Sequence, residues 1–523
     1  MRKLSLFLCL LVAALTVSGQ DYSQYYKDVP FRMSPVVQPK FPDRSVNLTD
    51  FGAVGNGSVS NTKAFAAAMD ALAAQGGGTL VVPRGIWLTG PIHFKSNVNL
   101  HVSDGALILF TPDYDEYPLI ETNYEGWKAM KATSPIMAHN VTNIAITGGG
   151  VIDGNGDNWR PVKREKMTPG QWNNLKKRGG AVDPQDRLWF PTEGAMKGYF
   201  DPTKYTEMSR ERQEEYKVFF RPVMVSIVGS KNILLQGVTF QNSPAWNIHP
   251  LMCENLTVDG VIVRNPWYSQ NGDGIDIESC SNVLVVNSSF DVGDDAICIK
   301  SGKDKEGRDR AMPTRNLIVD NCIVYHGHGG FVVGSEMSGG ANNLLVRNCT
   351  FMGTDVGLRF KSRRGRGGVV ENIWIENIDM TNIPGQALLF DLYYGKRDPN
   401  AAVPPVNEET PSFRNFTIKN ITCRGAGTAM LFNGLPEMNV KNMTVDGAFM
   451  QTTKGVVIND SDGITLKNCT VVASEGPTVT VYNAKNVDAK GLSTGAGKVV
   501  TVAESGSNAN LSFAPGAKIE AKK

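Results

Sequence analysis

Short runs of alternating apolar and polar residues recur along the chain, and most of them open with an asparagine. Typical copies are NILLQGVTF from Asn232, NLTVDGVIV from Asn255 and NLIVDNCIV from Asn316. Their common form is Asn, apolar, any residue, apolar, any residue, then Asn, Gly or Asp, followed by a second alternation. Alternation with a period of two residues is typical of a β-strand with one buried face. The pattern therefore predicts a chain built mainly from short strands.

The asparagines that open these runs define an internal repeat. They are Asn143, Asn232, Asn255, Asn282, Asn316, Asn343, Asn372, Asn415 and Asn442. After Asn232 the successive spacings are 23, 27, 34, 27, 29, 43 and 27 residues. Such self-similarity is typical of solenoids, and a unit of this length is too short for a four-stranded propeller blade. We predict an all-β, right-handed parallel β-helix, a single-stranded solenoid whose coils stack at about 4.8 Å. The repeated asparagines should stack as a ladder and bond to turn backbone in successive coils.

Two segments depart from the strand pattern. Residues 61–74 (NTKAFAAAMDALAA) are rich in alanine, start at a capping-type Asn61 and precede three glycines. They predict a helix that covers the exposed N-terminal end of the solenoid. Residues 159–220 are charged and lack the repeat. We interpret them as a long, partly helical insertion between coils that could wall a groove.

The start of the chain has the features of an export signal. Arg2 and Lys3 precede an apolar run over residues 4–17 and the small residues Ser18 and Gly19. The run is shorter than the roughly 20 apolar residues that a membrane-spanning helix needs. We predict a signal peptide over residues 1–20, an extended segment over 21–45 and one β-helical domain over 46–523. The protein should be exported to a periplasm or secreted, without membrane insertion.

The composition argues against nucleic acid as a partner and against a zinc site. The chain has 53 basic and 51 acidic residues and a net charge of +2, which gives no general case for nucleic-acid binding. Export permits disulfides. However, seven cysteines follow the signal, so at least one thiol must be free, and the absence of a CxxC pair argues against a zinc site. Most of these cysteines are interpreted as small buried core residues.

Candidate chemistry lies in four short motifs on coils that the repeat predicts to be consecutive. They are NGD at 271–273, GDD at 293–295, GHG at 327–329 and RFK at 359–361. Asp273 and Asp294 are 21 residues apart, about one coil, so they should lie one above the other on the same face. Arg359 and Lys361 are two apart in a strand and should also share a face. The four motifs are therefore expected to converge along one line.

The three aspartates suit general acid and base catalysis. Two unit charges 4 Å apart repel by roughly 4 kcal/mol at an effective dielectric constant near 20. One carboxyl among Asp273, Asp294 and Asp295 should hold its proton to higher pH and act as an acid, while its ionised neighbours act as a base for water. Glycoside hydrolysis needs this arrangement. The alternative, that GDD is merely a tight turn, does not account for the coil-spaced His328 and the Arg-x-Lys pair.

In order and spacing, the four motifs resemble those of the polygalacturonase-type pectin glycosidases, glycoside hydrolase family 28. The family pattern is Asn-Thr-Asp, Gly/Gln-Asp-Asp, Gly-His-Gly and Arg-Ile-Lys, and this sequence departs from it by Gly272 and Phe360. The resemblance covers most of residues 46–495. It implies that the β-helical domain is catalytic, that its partner is a pectic polysaccharide or oligogalacturonide, and that it uses no metal or other cofactor.

The resemblance also implies catalytic roles. Asp294 is expected to be the general acid that protonates the glycosidic oxygen. Asp273 and Asp295 are expected to activate water. His328 is expected to tune the protonation of the acid and to hold the sugar.

Substrate-binding residues follow from the same resemblance. Arg359 and Lys361 are expected to bind the carboxylate of the galacturonate beyond the scissile bond, the first as a planar fork and the second as a point charge. Asn271 is expected to contact sugar. Tyr394 matches the spacing of a subsite tyrosine of the family, with Tyr393 as its rival.

Two neighbouring groups of residues keep more than one interpretation. Residues 361–368, KSRRGRGG, either extend a track for an anionic polymer through Arg363, Arg364 and Arg366 or form an exposed basic turn. Asp276 and Glu278 lie beside the first motif, and we expect them to support the site or to belong to a ladder.

The expected reaction is hydrolysis of α-1,4-galacturonan, the demethylated backbone of pectin. We expect inversion because members of the family invert, although carboxyls stacked at about 4.8 Å would by distance alone favour retention. Hydrolysis of rhamnogalacturonan or xylogalacturonan is the nearest alternative. A β-helical polysaccharide lyase and a non-catalytic polysaccharide-binding β-helix are alternatives of other classes. The insertion at 159–220 and the loop at 301–314 could close one end of the groove, which favours exo action. The sequence carries no signal for the oligomeric state.

Overall fold

A computed structural model describes residues 20–395, 402–494, 500–503 and 508–521. Apart from Gln20, the predicted signal peptide lies outside the described residues. Most strands belong to a single sheet of 33 strands, and each pairs in parallel with strands of the coils before and after it. The predicted parallel solenoid is therefore what the chain forms. Among the described residues, no helix has the length and apolar character needed to cross a membrane.

The strands pair into three stacks, one on each side of the solenoid. The first stack contains Ser45–Asn47, Gly78–Val82, Val98–Val102, Thr142–Thr147, Lys231–Gln236, Glu254–Asp259, Ser281–Val286, Thr314–Asp320, Lys485–Ala489 and Ala509–Phe513. The second stack contains Gly85–Thr89, Ala106–Phe110, Val151–Asp153, Thr239–Gln241, Ile262–Arg264, Ser289–Asp291 and Leu492–Ser493. The third stack contains Ile92–His93, Ile136–His139, Val225–Val228, Ile248–Leu251, Ile275–Glu278, Asp295–Lys300, Thr354–Lys361, Val479–Tyr482, Val500–Ala503 and Lys518–Ala521.

Towards the C-terminal half the strands lengthen and turn the corners between stacks. These long strands are Ile323–Val333, Ala341–Met352, Val369–Asp391, Ser412–Asn433, Val440–Asn459 and Ser461–Ala473. Residues paired in register repeat their side chains from coil to coil. Phe360 pairs with Phe390 and Phe390 with Phe432, and their rings stack with centroids 4.9 and 5.2 Å apart. This continuous apolar interior holds the coils in register.

The repeated asparagines form the predicted ladder, with a different bond. The amide of Asn232 donates to the side-chain oxygen of Asn143 at 3.0 Å, and the amide of Asn255 donates to Asn232 at 3.2 Å. The bonds thus join side chain to side chain, rather than side chain to turn backbone as predicted. Asn232 also has a φ of +54°. Asparagine tolerates this left-handed conformation better than other residues with a Cβ, which explains its recurrence at the same corner.

A helix forms where the alanine-rich segment predicted one. The α-helices are α1 (Thr62–Ala74), α2 (Pro169–Lys177), α3 (Glu193–Phe200), α4 (Arg210–Glu215) and α5 (Asp304–Arg310). The short 3-10 helices are Ser23–Tyr26, Leu48–Phe51, Tyr114–Glu116, Gly156–Asn158, Arg164–Lys166 and Tyr205–Glu207. Asn61 occupies the N-cap position of α1, as predicted, but its side chain makes no bond to the first turn. Asn61 is buried, accepts from the backbone of Val54 and donates to the carbonyl of Leu88, so it ties a loop to a strand.

The charged segment at 159–220 folds as a small unit beside the solenoid. It contains α2, α3, α4 and an antiparallel sheet of Val162–Lys163, Leu188–Phe190 and Ala181–Val182. A separate hairpin, Leu119–Tyr124 paired with Trp127–Ala132, lies against it. Buried residues such as Leu119, Trp159 and Phe190 form a core shared by the two. The insertion is therefore an ordered wall built with the hairpin.

Residues 20–44 run along the outer face of the first stack. Tyr25 and Val36 are buried there against Leu284, Ile318 and Leu345. The segment contains no strand, and its only regular element is the short helix at Ser23–Tyr26. The seven cysteines of the described chain are all buried and all free.

Candidate active site

The third stack brings the four sequence motifs onto four successive coils. Ile275 pairs with Ile297, Ile297 with Phe331, and Phe331 with Leu358. Because strand pairing is in parallel, the motif residues beside these positions lie in one row along the solenoid. The predicted convergence is present in the structure.

The three aspartates lie together at the head of two third-stack strands. One oxygen from each of Asp273, Asp294 and Asp295 lies within 4.8 Å of the others. Asp273 and Asp295 are only 3% and 2% exposed. The pairing of Ile275 with Ile297 sets an offset of 22 residues, so Asp273 lies level with Asp295. The prediction that Asp294 stacks directly on Asp273 is therefore wrong by one residue, although the carboxyls still meet.

Asp295 is held by the two cations of the fourth motif. Arg359 Nη1 donates to Asp295 Oδ1 at 3.1 Å, and Lys361 Nζ donates to Asp295 Oδ2 at 2.7 Å. The two side chains thus share a face, as their spacing predicted. Burial alone would raise the pKa of Asp295, but Lys361, Arg359 and Lys300 outweigh it and hold this pKa well below its usual value. Asp295 is consequently an ionised carboxylate at any pH of interest.

Asp273 has the opposite electrostatic character. Its Oδ1 is buried without a hydrogen-bond partner among the described residues. Burial, followed by the charge of Asp294 and that of Asp276, raises its pKa well above the usual value. The surroundings therefore keep a proton on Asp273, whereas the family resemblance gives the acid role to Asp294.

His328 is fixed to Asp294 through both its backbone and its side chain. Its amide donates to the Asp294 carbonyl at 2.9 Å, and its Nδ1 lies 3.1 Å from Asp294 Oδ1. Nε2 lies 3.7 Å from Asp355 Oδ2. The hydrogen bond to Asp294 raises the pKa of His328, against the opposing effect of burial. His328 can therefore carry a positive charge beside Asp294.

The remaining predicted binding residues border the aspartates. Asn271 has a φ of +51°, and its Oδ1 accepts from Arg221 Nη2 at 2.7 Å. Tyr394 is 41% exposed, with its ring 5.3 Å from Lys361 Nζ. Tyr393 instead lies against Arg364 at 5.4 Å. Of the two tyrosines, the structure brings Tyr394 to the site.

Buried charges lie below the aspartates. Lys300 Nζ is 3.5 Å from Asp276 Oδ1 and 3.0 Å from Glu336 Oε2. Burial holds the pKa of Asp276 well above its usual value. Burial also disfavours the charge of Glu336, but Lys300 and Lys361 lower its pKa to about 2. Glu336 therefore interacts with the charges of both Lys300 and Lys361.

Two arginines of the basic segment 361–368, Arg364 and Arg366, form ion pairs within the protein. Arg364 binds both oxygens of Glu437 at 2.5 and 2.8 Å. Arg366 is buried and pairs with Asp304. Both arginines therefore stabilise the fold through these ion pairs and do not form a binding surface for an anionic polymer.

A pocket of about 370 Å³ opens next to the aspartates, and the sequence did not indicate its two cations, Lys131 and Arg221. The hairpin supplies Tyr124 and Lys131, the insertion supplies aromatic side chains, and Arg221 and Asn271 complete the lining. Lys131 and Arg221 belong to no motif. Only the alternation of the hairpin could have indicated that Lys131 belongs to a strand.

The aspartates are also the only described group of three His, Cys, Asp or Glu side chains close enough to share a metal ion. Two cations already contact Asp295. Charge compensation in this part of the structure therefore comes from Arg359 and Lys361.

Comparisons with known proteins agree with this geometry. Residues 194–422 match the model of the glycosyl hydrolases family 28. The structure is similar to that of a hyperthermoactive exopolygalacturonase from Thermotoga maritima, with a TM-score of 0.69 and 33% identity, over 84% of this chain and 94% of that one. The chain belongs to glycoside hydrolase family 28.

Two further family relatives cover most of the chain. A probable polygalacturonase of Vitis vinifera is 28% identical over 83% of this chain and 81% of its own length. An exo-poly-alpha-D-galacturonosidase of Dickeya chrysanthemi is 28% identical over 85% of this chain and 74% of its own. As a family 28 member the protein is a glycosidase, and the aspartate cluster lies within the matched residues 194–422.

Proposed function

We propose that this glycosidase hydrolyses α-1,4 linkages of galacturonan from a chain end. The observation that carries the proposal is the meeting of three carboxyls with Arg359 and Lys361 beside a pocket walled by the insertion. The names of the Thermotoga and Dickeya relatives, an exopolygalacturonase and an exo-poly-alpha-D-galacturonosidase, support the same substrate and mode.

The proposed mechanism divides the work among the three aspartates. Asp294 donates its proton to the glycosidic oxygen as the bond to the anomeric carbon breaks. Asp295, ionised by Lys361 and Arg359, accepts a proton from the attacking water, with Asp273 beside it. The carboxyl oxygens lie within 4.8 Å of one another, so the proton that burial favours on Asp273 can pass to Asp294 after the transfer. His328 at 3.1 Å stabilises Asp294 once it is ionised.

Arg359 can still reach the substrate. Its Nη1 donates to Asp295, but 19% of the side chain remains exposed. A substrate carboxylate can bind there, because a guanidinium presents several donors in a fork that matches a carboxylate. Lys361 and the exposed Tyr394 border the same place. These contacts favour a galacturonate unit beyond the cleaved bond over the rhamnose of rhamnogalacturonan.

We propose inversion on the ground of family membership. The carboxyl oxygens lie within 4.8 Å, closer than the about 6.5–9.5 Å usual for inverting sites. Proton NMR of the first product decides the question, since inversion of an α-linkage releases the β-anomer. First release of the α-anomer would establish retention.

The mode of action is tested by the products formed early on polygalacturonate. Exo action releases one short product from the first minutes, with a slow fall in viscosity. A ladder of oligomers and a rapid fall in viscosity would establish endo action. Replacing Asp294 with Asn should abolish reducing-sugar release from a folded protein, and activity retained by that variant would overturn the acid assignment.

We also propose a route of export, a handedness and an end cap for the solenoid. The protein is exported through a signal peptide over residues 1–20, to a periplasm or to the exterior. The solenoid winds in a right-handed sense, as parallel crossovers generally do. Helix α1, whose buried face includes Phe65 and Leu72, covers its N-terminal end.

A further inference from the structure

The pocket beside the aspartates contains two cations without acidic partners. Lys131 and Arg221 both line it. Within the described chain neither forms an ion pair, and the bonds of Arg221 go to the carbonyls of Pro244 and Gln270 and to Asn271. The acids in the lining have other partners, since Glu125 lies 4.0 Å from Lys303, and Asp201 pairs with Arg212. Lys131 and Arg221 therefore present to the pocket two cations that form no ion pair with a carboxylate of the described chain.

A bound anion would stabilise the charged form of Lys131. Its Nζ lies 3.5 Å from the centroid of the Tyr124 ring, a cation–π contact. Burial, together with the neighbouring charge of Arg221, lowers the pKa of Lys131 to about 7. A carboxylate bound between the two cations would offset both effects. By contrast, Arg359 and Lys361 both contact the carboxylate of Asp295.

The pocket reaches the residues that precede Asp273, since Gln270 and Asn271 line it. Arg221 Nη2 holds Asn271 at 2.7 Å, two residues before Asp273. The ring of Tyr124 packs on that of Trp246 at 4.6 Å, and Lys300 lies 4.7 Å above Trp246. A ligand in the pocket thus lies next to the aspartates.

Position along the solenoid gives the pocket its place on the substrate. The insertion is followed by the strand Val225–Val228. Val225 pairs with Ile248, and Ile248 pairs with Ile275. This strand therefore lies two coils before Ile275–Glu278, the strand that follows Asp273. Arg359 lies three coils beyond Asp273 on the other side. If Arg359 and Lys361 face the unit beyond the cleaved bond, the pocket faces the sugars before it. These include the non-reducing end of the chain.

We propose that Lys131 and Arg221 bind the carboxylate of the uronate at the non-reducing end and so select acidic chain ends. The aromatic lining from the insertion, including Tyr199 and Phe219, packs against the sugar ring. The volume of about 370 Å³ lies in the range of small-molecule sites. This inference rests on the proposed galacturonan hydrolysis and identifies the residues that recognise the chain end.

The test compares two substrates in three proteins. The substrates are trigalacturonate and the same trisaccharide with a methyl ester only on its non-reducing terminal carboxyl. In the unsubstituted protein, kcat/KM should be at least tenfold higher for the free acid. Lys131→Met should reduce this ratio to below threefold, mainly through a higher KM for the free acid. Lys128→Met, an exposed lysine of the same hairpin outside the pocket, should keep the original ratio.

Two further measurements test the role of Lys131 even if Lys131→Met fails to fold. Lys131→Arg, which retains the charge, should preserve the preference for the free acid. In the unsubstituted protein, digalacturonate should protect Lys131 from an amine-acylating reagent at neutral pH, and the dimethyl ester of digalacturonate should not. The ester ratio unchanged in Lys131→Met, or equal protection by both disaccharides, would overturn the inference. Failure of the unsubstituted protein to release sugar from polygalacturonate would instead defeat the proposed function, while the protection experiment would still test the pocket.

Discussion

Lys361 Nζ lies 2.7 Å from Asp295 Oδ2, a contact between residues 66 positions apart in sequence. The ammonium group and the carboxylate are both buried. Breaking one side of such a pair leaves an uncompensated charge in the interior. The contact therefore determines the protonation state of Asp295 and makes the catalytic carboxylate depend on a coil two turns away.

Replacing Lys361 with Met should raise the pKa of Asp295. This pKa is held below its usual value, with Lys361 as the largest favourable contribution, so losing the cation moves it upward. The acidic limb of the kcat/KM profile should shift to higher pH, and kcat should fall by about 100-fold or more, as for loss of a proton-transfer group. Lys361→Arg keeps the charge and should shift the limb less. An unmoved acidic limb in Lys361→Met would contradict the role given to this pair.

Replacing Asp294 with Asn should lower the pKa of His328. The hydrogen bond to the Asp294 carboxylate is the main cause of its raised value, and a neutral amide cannot stabilise the imidazolium. NMR titration of the imidazole protons measures the change in a chain with only 6 histidines. Asp355→Asn, which removes a carboxylate 3.7 Å from Nε2, should have a smaller effect. Equal shifts of the His328 pKa in the two variants would show that Asp294 affects this pKa no more than Asp355 does.

Replacing Asn232 with Ala should destabilise the solenoid locally. The change removes one bond donated to Asn143 and one accepted from Asn255, each worth about 1 kcal/mol. It also places a Cβ-bearing residue without polar compensation at a φ of +54°, at a cost of roughly 1–2 kcal/mol. Urea unfolding should show a loss of about 3–4 kcal/mol in the free energy of unfolding. Asn232→Gly keeps the backbone conformation accessible and should lose less; a larger loss in Gly than in Ala would refute the backbone argument.

Chelation should leave catalysis unchanged. The three aspartates are close enough to share a divalent ion, but Asp295 already receives two cationic side chains. Dialysis against a chelator should therefore preserve reducing-sugar release from polygalacturonate, and the products should not absorb in the ultraviolet. Loss of activity that calcium restores, together with an absorbing unsaturated product, would indicate a lyase.

Much of the fold was predictable because the solenoid repeats a local rule. Each asparagine occupies a left-handed corner, and its side chain meets the one below. The chain therefore returns to the same side whether a coil takes 23 or 34 residues. That is why Asp273, His328 and Arg359 could be placed on one face from spacing alone. The exact offset of 22 residues between the first two motifs is set by the pairing of their strands. The spacing of the aspartates in the sequence does not reveal this pairing.

The pocket was not predictable for a physical reason. Lys131 and Arg221 are 90 positions apart, and a hairpin and an insertion that follow no repeat bring them together. Their contacts depend on a core formed by Leu119, Trp159 and Phe190, whose packing leaves no periodic pattern in the sequence. The partnership of Asp295 with both Arg359 and Lys361 was missed for a related reason, since an ion pair depends on side-chain reach rather than on register.

The segment at residues 20–44 has a mechanical consequence for the coils behind the active site. Tyr22 bonds to Asp259, Tyr25 to Asn287, and Arg347 holds the carbonyl of Tyr25. A solenoid in which each coil contacts only its neighbours can unravel from either end. Here a single segment braces several turns at once, along the outer face of the first stack. On heating, the ends of the solenoid should therefore loosen first, while the braced turns that align the catalytic groups stay closed longest.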